Sequence, residues 1–207
     1  SDPTKAERND VDHSGNMLAE NKLDWFDGKW YSFGNGPQDP SELSEWWSDE
    51  GGIGGDRFNP TTFADSKDTY VLVDGSKYTA TKLWDVAGNV EIAAGGELDP
   101  GAFEIQVGGN TVIKNTGLLN FSGTGTYDSD GDFTVETGGV IDFDAAGILE
   151  LADVEPILIG LPSDAGTVVY DLGGDQAIYD INYFNLTVSG ASGTKTASAD
   201  LDIDGRS

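Results

Sequence analysis

The sequence predicts an all-β chain that folds as a right-handed parallel β-helix, with an extended N-terminal arm and an aromatic-rich cap. An eleven-residue segment recurs at 89–99, 110–120 and 132–142, glycine occupies 29 of 207 positions, and short runs alternate apolar with polar residues. A repeat of roughly 20 residues with β-branched positions and a fixed glycine is typical of a solenoid. Stacked coils bury together the apolar face that one coil cannot bury alone.

Four positions of the recurring segment carry the same residue type in all three copies, and we expect each set to form a stacked row. The rows are β-branched, glycine, apolar and polar: Ile92, Ile113 and Val135; Gly96, Gly117 and Gly139; Leu98, Leu119 and Ile141; and Asp99, Asn120 and Asp142. In the polar row, the central amide is expected to separate two carboxylates and to chain hydrogen bonds between coils. All four rows are interpreted as structural.

The chain divides into three segments by composition. Residues 1–22 are polar and are interpreted as an arm, disordered alone or ordered against a partner. Residues 23–57 form an aromatic-rich capping segment, too irregular for a coil, in which Ser41 is expected to cap one helical turn. Residues 58–207 form the β-helix, with an insertion expected over 152–178. A second apolar run follows each recurring segment, for example Phe103, Ile105 and Val107.

Charge and composition exclude several classes of protein. The chain has 37 acidic and 11 basic residues and a formal net charge of -26, so it repels nucleic acids and anionic membranes. It has no cysteine, which excludes disulfides and thiol catalysis. No apolar run reaches the roughly 18 residues of a membrane span, so no membrane insertion is expected. The missing leader and the first residue, Ser1, fit a processed, secreted product.

The sequence favours a protein that is not an enzyme. Its single histidine, His13, lies in the polar arm, and no phosphate-binding loop, dinucleotide motif or zinc-protease motif is present. A groove for a polyanionic substrate would need basic residues, but the eight lysines and three arginines are scattered. A carboxylate pair of the glycosidase type is the catalytic arrangement that the many acidic residues leave open.

A calcium ion is the one cofactor that the sequence suggests. Asp128, Asp130 and Asp132 surround a glycine turn, and calcium prefers several oxygen ligands on a flexible loop. The alternative is an ordinary acidic turn between two coils. No other metal or cofactor is expected.

The aromatic residues of the capping segment have two interpretations. Indole and phenol rings beside Asp and Asn can stack on the sugars of a polysaccharide, and they can equally form a hydrophobic plug over the first coil. The residues concerned are Trp25, Trp30, Tyr31, Trp46 and Trp47.

Two stretches resemble a known family. The motif YFNLTVSGASGTKTASADLDIDG (183–205) resembles a recurrent motif of large bacterial adhesin-like surface proteins. Residues 58–99 are similar to the first coils of secreted, Bacteroidetes-like right-handed parallel β-helix proteins. The resemblance implies a secreted, cell-surface or extracellular structural role, by analogy of fold only.

Assembly is the function that these observations favour. The alternation of Leu201 and Ile203 continues to the end of the chain, and no polar cap follows residue 205, so the last coil is expected to present an open strand edge. We therefore expect a self-assembling subunit of a filament, sheath or surface layer, whose partners are copies of itself joined head to tail. The alternatives are a fragment of an adhesin stalk and a module that binds surface polysaccharide through the aromatic cluster.

Overall fold

The structure, a computed structural model, describes residues 28–32, 37–48, 59–159, 165–197 and 199–203. These residues form short strands that wind into a solenoid with three faces. Each face is a sheet of mainly parallel strands. The predicted parallel β-helix is thus confirmed. One short 3₁₀ turn, Leu43–Glu45, is the helical element among the described residues.

The strands are numbered along the chain. They are β1 (Lys29–Ser32), β2 (Pro37–Gln38), β3 (Trp46–Trp47), β4 (Thr69–Leu72), β5 (Lys77–Thr79), β6 (Trp84–Val86), β7 (Asn89–Ile92), β8 (Glu97–Asp99), β9 (Glu104–Val107), β10 (Thr111–Ile113), β11 (Leu118–Asn120), β12 (Thr126–Ser129), β13 (Phe133–Val135), β14 (Val140–Asp142), β15 (Ile148–Leu151), β16 (Thr167–Tyr170), β17 (Gln176–Ile178), β18 (Asn182–Tyr183), β19 (Asn185–Val188), β20 (Lys195–Ala197) and β21 (Asp202–Ile203).

Each regular coil contributes one strand to each sheet. The first sheet has the order β13-β10-β7-β4-β1-β3, the second β14-β11-β8-β5-β2, and the third β19-β16-β15-β12-β9-β6. Two further pairs, β17 with β20 and β18 with β21, continue the winding. Every pairing is parallel except that of β3 with β1.

The apolar rows stack as the repeat predicts. Ile113 lies opposite Ile92 on one side and Val135 on the other, and Leu119 lies between Leu98 and Ile141. All six side chains are fully buried. Because side chains alternate across a strand, the residues between them face outward, and the core is the line of inward residues running along the solenoid axis.

The glycine row is required by close contact between coils. The Gly117 N–H donates to the Lys114 carbonyl at 2.8 Å and closes a tight turn. A Cβ at this position would lie 2.5 Å from the Ile92 carbonyl oxygen of the preceding coil. A Cβ added at Gly96 or Gly139 would also be too close to the preceding coil, at 2.5 Å and 2.8 Å from a backbone carbonyl oxygen.

The residue before each of these glycines has a positive φ. Gly95, Thr116 and Gly138 have φ of 76°, 63° and 87°, as the third position of a type II turn requires. Their backbones are linked, since the Gly95 N–H donates to the Thr116 carbonyl and the Thr116 N–H to the Gly138 carbonyl, at 3.2 and 2.8 Å. Among the described residues, Thr116 is the one residue other than glycine that has a positive φ.

The polar row does not form the expected chain of amide hydrogen bonds. Asn120 lies opposite Asp142, but its Nδ2 donates to Glu97 Oε1 at 3.3 Å, and its Oδ1 is buried without a partner among the described residues. Asp99 is buried and accepts the backbone N–H of Gly101 at 2.7 Å and the Ser122 hydroxyl. Asp99 turns toward its own corner, so the amide of Asn120 bonds to the preceding coil through Glu97.

The solenoid begins earlier than the sequence indicated. β1 and β2 pair in parallel with β4 and β5, so residues 29–32 and 37–38 belong to the solenoid although the capping segment was placed at 23–57. The cap is the loop that follows, in which β3 covers β1 in antiparallel register. Ser41 does not cap the 3₁₀ turn: Glu42 holds that position, and Ser41 donates instead to Asp39 Oδ1 at 2.6 Å.

The described residues of the segment 152–178 continue the solenoid, whereas an insertion was expected. Ile157 bridges Thr134 of the first sheet, and β16 pairs with β15 in the third sheet. Phe103 also departs from expectation, since it is 44% exposed while Ile105 and Val107 are buried. It lies at a corner one residue before β9, where the alternation has not yet begun.

We predict that Ile113→Ala lowers the free energy of unfolding by about 2–5 kcal/mol, because it opens a cavity in the stacked row. Chemical denaturation followed by circular dichroism measures the change. The neighbouring outward residue provides the matched control, and Val112→Ala should cost well under about 1 kcal/mol. Equal losses in the two variants would contradict the inward row.

We predict that Thr116→Gly raises the stability by about 0.5–1 kcal/mol. A β-branched residue in the left-handed region is strained by roughly 1–2 kcal/mol, which exceeds the added chain entropy of glycine. Thr116→Asn should fall between the two, because Asn tolerates positive φ. Thermal melts that place Thr116→Gly below the unchanged protein would show that the turn carries no such strain.

Candidate functional surfaces

A plug of aromatic rings closes the first coils. The Trp46 side chain is fully buried, and its Nε1 donates to the Pro40 carbonyl at 2.8 Å. Its ring stacks on Trp84 at 5.4 Å between centroids and contacts Tyr70 edge-on at 5.2 Å. Such contacts add to the burial of large apolar surface, so β3 ties the cap firmly to the core.

The rings proposed for glycan binding are divided between interior and surface. Trp30 and Trp46 are buried, so no sugar can stack on them, and the plug interpretation fits both. Tyr31 and Trp47 are half-buried and lie opposite each other across β1 and β3. Trp25 lies outside the described residues. A glycan-stacking surface would therefore consist of the Tyr31–Trp47 pair.

The three aspartates of the proposed calcium loop face different directions. Asp128 is an outward residue of β12, Asp130 is exposed beyond its end, and Asp132 lies past Gly131, on the wall of a groove beside the first sheet. In the described part of the chain, no group of three or more His, Cys, Asp or Glu side chains is arranged to hold a metal ion. Calcium binding at this loop stays a prediction.

An acidic row runs along the outer face of the third sheet. Asp128 lies opposite Gln106 in one neighbouring strand and Glu150 in the other. Burial, and then repulsion by Asp130 and Glu150, raises the pKa of Asp128 to about 6, and burial also raises that of Glu150. No strand of this sheet contains Lys or Arg. Asp128, on the outer face of this sheet, therefore loses its proton at a higher pH than an ordinary aspartate does.

A groove interrupts the first sheet beyond β13. It has a volume of about 570 Å³ and lies between residues 154–157 and β17, with Thr194 and Thr196 on its far side. A smaller groove shares Val154, Glu155 and Ile157 with it. Sequence reasoning missed both, because it assigned this segment to an insertion. Pro156, which cannot donate to a strand ladder, was the available signal.

The last described strands each have one described neighbour. Among the described residues, β19, β20 and β21 each pair with one strand, which is β16, β17 and β18 respectively. Val188 and Ile203 are 46% and 49% exposed, whereas the equivalent inward residues of earlier coils are buried. This end thus offers both strand edges and apolar side chains.

No protein-family model matches this chain, and no curated protein or solved structure does so either. The resemblance suggested by residues 58–99 and 183–205 therefore stays a prediction. Within the described part of the chain, no helix has the length and apolarity needed to cross a membrane.

We predict that Asp128→Asn stabilises the protein at pH 7–8 by about 1 kcal/mol, allowing for solvent screening at this half-buried site. The folded-state pKa of Asp128 is raised from 3.8 to about 6. The protonated carboxyl, which favours the folded state, is therefore fully populated below pH 4 and is lost as the pH rises through 6. The gain should therefore vanish below pH 4.

Urea titrations at pH 3.5, 5 and 7.5 measure this dependence. Asp85→Asn is the matched control, since Asp85 is exposed at the start of the same outward row. It should change stability by less than about 0.5 kcal/mol at every pH. A pH-independent effect of Asp128→Asn would show that burial and repulsion do not act on this carboxyl.

Proposed function

We propose that this protein is an extracellular structural subunit that assembles end to end into a filament, sheath or surface layer. The observation that supports the proposal most directly is that β19, β20 and β21 each pair with one described strand, beside exposed apolar side chains. Unpaired strand edges are templates for strand addition, and exposed Val188 and Ile203 supply apolar surface beside them. A secreted location follows from the resemblance and is part of the proposal.

The two ends of the solenoid differ, which favours directional contact. The aromatic plug and β3 cover the first sheet at one end, while at the other end β19, β20 and β21 each have one described partner. The proposed donor is the N-terminal arm of the next copy, residues 1–22, which lies outside the described residues. A contact between two different surfaces is head to tail, so it need not close and can grow into a fibre.

Charge should control growth. Copies that each carry a formal net charge of -26 repel one another, and salt or divalent cations screen that repulsion over about 10 Å at 0.1 M. The rival function is a piece of an adhesin stalk, in which the next coil is attached covalently. A polysaccharide-binding module is favoured only by the exposed part of the Tyr31–Trp47 pair.

The open edge can be blocked at one residue. The Ser189 N–H donates to the Tyr170 carbonyl at 2.8 Å, and hydrogen bonding alternates along a strand, so the N–H and C=O of Val188 point away from β16. Val188→Pro removes that outward donor. Val188→Thr keeps it and is the matched control, because the two side chains have nearly the same shape.

We predict filaments in electron micrographs of the purified full chain, more abundant at about 0.5 M salt than at 0.02 M. Deletion of residues 1–22 and Val188→Pro should each abolish them, while Val188→Thr should retain them. Circular dichroism checks that every variant is folded. A monodisperse monomer under all salt and calcium conditions would rule out self-assembly and favour the adhesin fragment.

A further inference from the structure

The groove beside Ile157 lies where the first sheet lacks its next paired strand. The Ile157 N–H donates to the Phe133 carbonyl and its own carbonyl accepts the Val135 N–H, both within 2.9 Å, so this residue extends the first sheet by one position. β17 would be the next strand, yet the backbone contact that links it to this segment is one hydrogen bond, from the Ala177 N–H to the Val154 carbonyl at 2.8 Å. The groove lies beyond that contact.

The wall of the groove presents backbone groups without partners. Both polar groups of Ile157 face β13, so by alternation those of Leu158 point away from β13, toward the side on which β17 and the groove lie. The structure gives the Leu158 amide and carbonyl no hydrogen bond to any described residue. The Leu158 side chain is fully buried, which holds this edge in place. An ordered edge with an unmet donor and acceptor is what a bound extended segment pairs with.

The side chains around the groove are apolar at its wall and acidic at its rim. Val154 is 58% exposed and Ile157 is 42% exposed, although both are aliphatic. Glu155 and Asp175 line the main groove, and Asp132 and Asp153 line the smaller one that joins it. A ligand that fits must therefore combine an aliphatic side chain with positive charge.

No basic residue is among the described residues that line either groove. The nearest candidate in sequence is Lys195, which lies between the lining residues Thr194 and Thr196. Its ammonium is already bound to the Gln176 Oε1 at 2.9 Å and to the carbonyl of Gly174 at 3.2 Å. The charge of the groove is thus uncompensated, and a cationic partner is complementary to it.

We propose that this groove binds an extended, basic segment of a partner protein, in which lysine or arginine alternates with aliphatic residues. The segment adds as a strand beside Leu158, its aliphatic side chain contacts Val154 and Ile157, and its cations face Glu155 and Asp175. The volume of about 570 Å³ is within the ordinary range of ligand sites, roughly 300–1,000 Å³. This site is on the side of the solenoid and does not depend on end-to-end assembly.

The test uses fluorescent pentapeptides and the full chain, with binding followed by anisotropy. The probe is Lys-Val-Lys-Val-Lys. The comparison peptides are Glu-Val-Glu-Val-Glu, Lys-Ser-Lys-Ser-Lys, and the probe with its valine amides methylated. We expect saturable binding of the probe and at least about tenfold weaker binding of the other three, which lack the charge, the apolar side chains or the donors.

Two variants locate the binding site. Glu155→Lys and Ile157→Lys should each weaken binding of the probe by at least about tenfold. Asp85→Lys and Leu83→Lys are the matched controls, since they make the same charge or polarity change at exposed positions that do not line the groove. They should change affinity by less than about threefold. Circular dichroism verifies that all four are folded.

Several outcomes would overturn the proposal. Equal losses in the Asp85→Lys and Glu155→Lys proteins would mean that the probe follows net charge alone. No binding by the full chain, with binding restored by deletion of residues 1–22, would assign the groove to the chain's own arm. A dimer in light scattering that Ile157→Lys dissociates would assign it to a second copy. Absence of all three signals would leave the groove without a peptide ligand.

Discussion

The hydrogen bonds that join each coil to the next are the interaction on which the other features depend. They keep β4, β7, β10 and β13 in parallel register without a slip, so that residues of one kind lie above residues of the same kind. A shift of one residue would turn an entire apolar row toward solvent. The turn glycines follow from the same constraint, because the close approach of successive coils leaves no room for a Cβ at Gly117.

The same register that stacks apolar residues also stacks charges. On the sides of the first and second sheets, this register places opposite charges of successive coils next to each other. The ion pairs Lys114–Glu136 and Lys77–Glu97 are examples. The third sheet has no basic residue in its strands, so carboxyls accumulate there and the pKa of Asp128 rises. Acidity is therefore unevenly distributed around the solenoid, and it is greatest where no internal cation offsets it.

Periodic features of the fold could be predicted from sequence, and interruptions could not. The rows around Ile113 repeat at nearly constant spacing, so the sequence aligns on itself. The first coil was missed because the cap separates β1 from β4 and hides the period. The groove was missed for another reason: Val154 and Ile157 look like core residues in the sequence, and only the displaced β17 leaves them exposed. The hydrogen bond of Asn120 to Glu97, and not to Asp99, likewise depends on which carboxylate the short Asn120 side chain can reach.

The burial of Trp46 against Tyr70, Tyr78 and Trp84, three rings of one coil, gives the solenoid a preferred place for folding to start. Repeat architectures fold by nucleation followed by propagation from coil to neighbouring coil. Trp46 and Trp84 are the largest fully buried side chains among the described residues, and their rings stack on each other. Winding can therefore begin at the plug and pass from there to the neighbouring coils. Fraying should begin at the opposite end, where β21 has a single partner among the described strands.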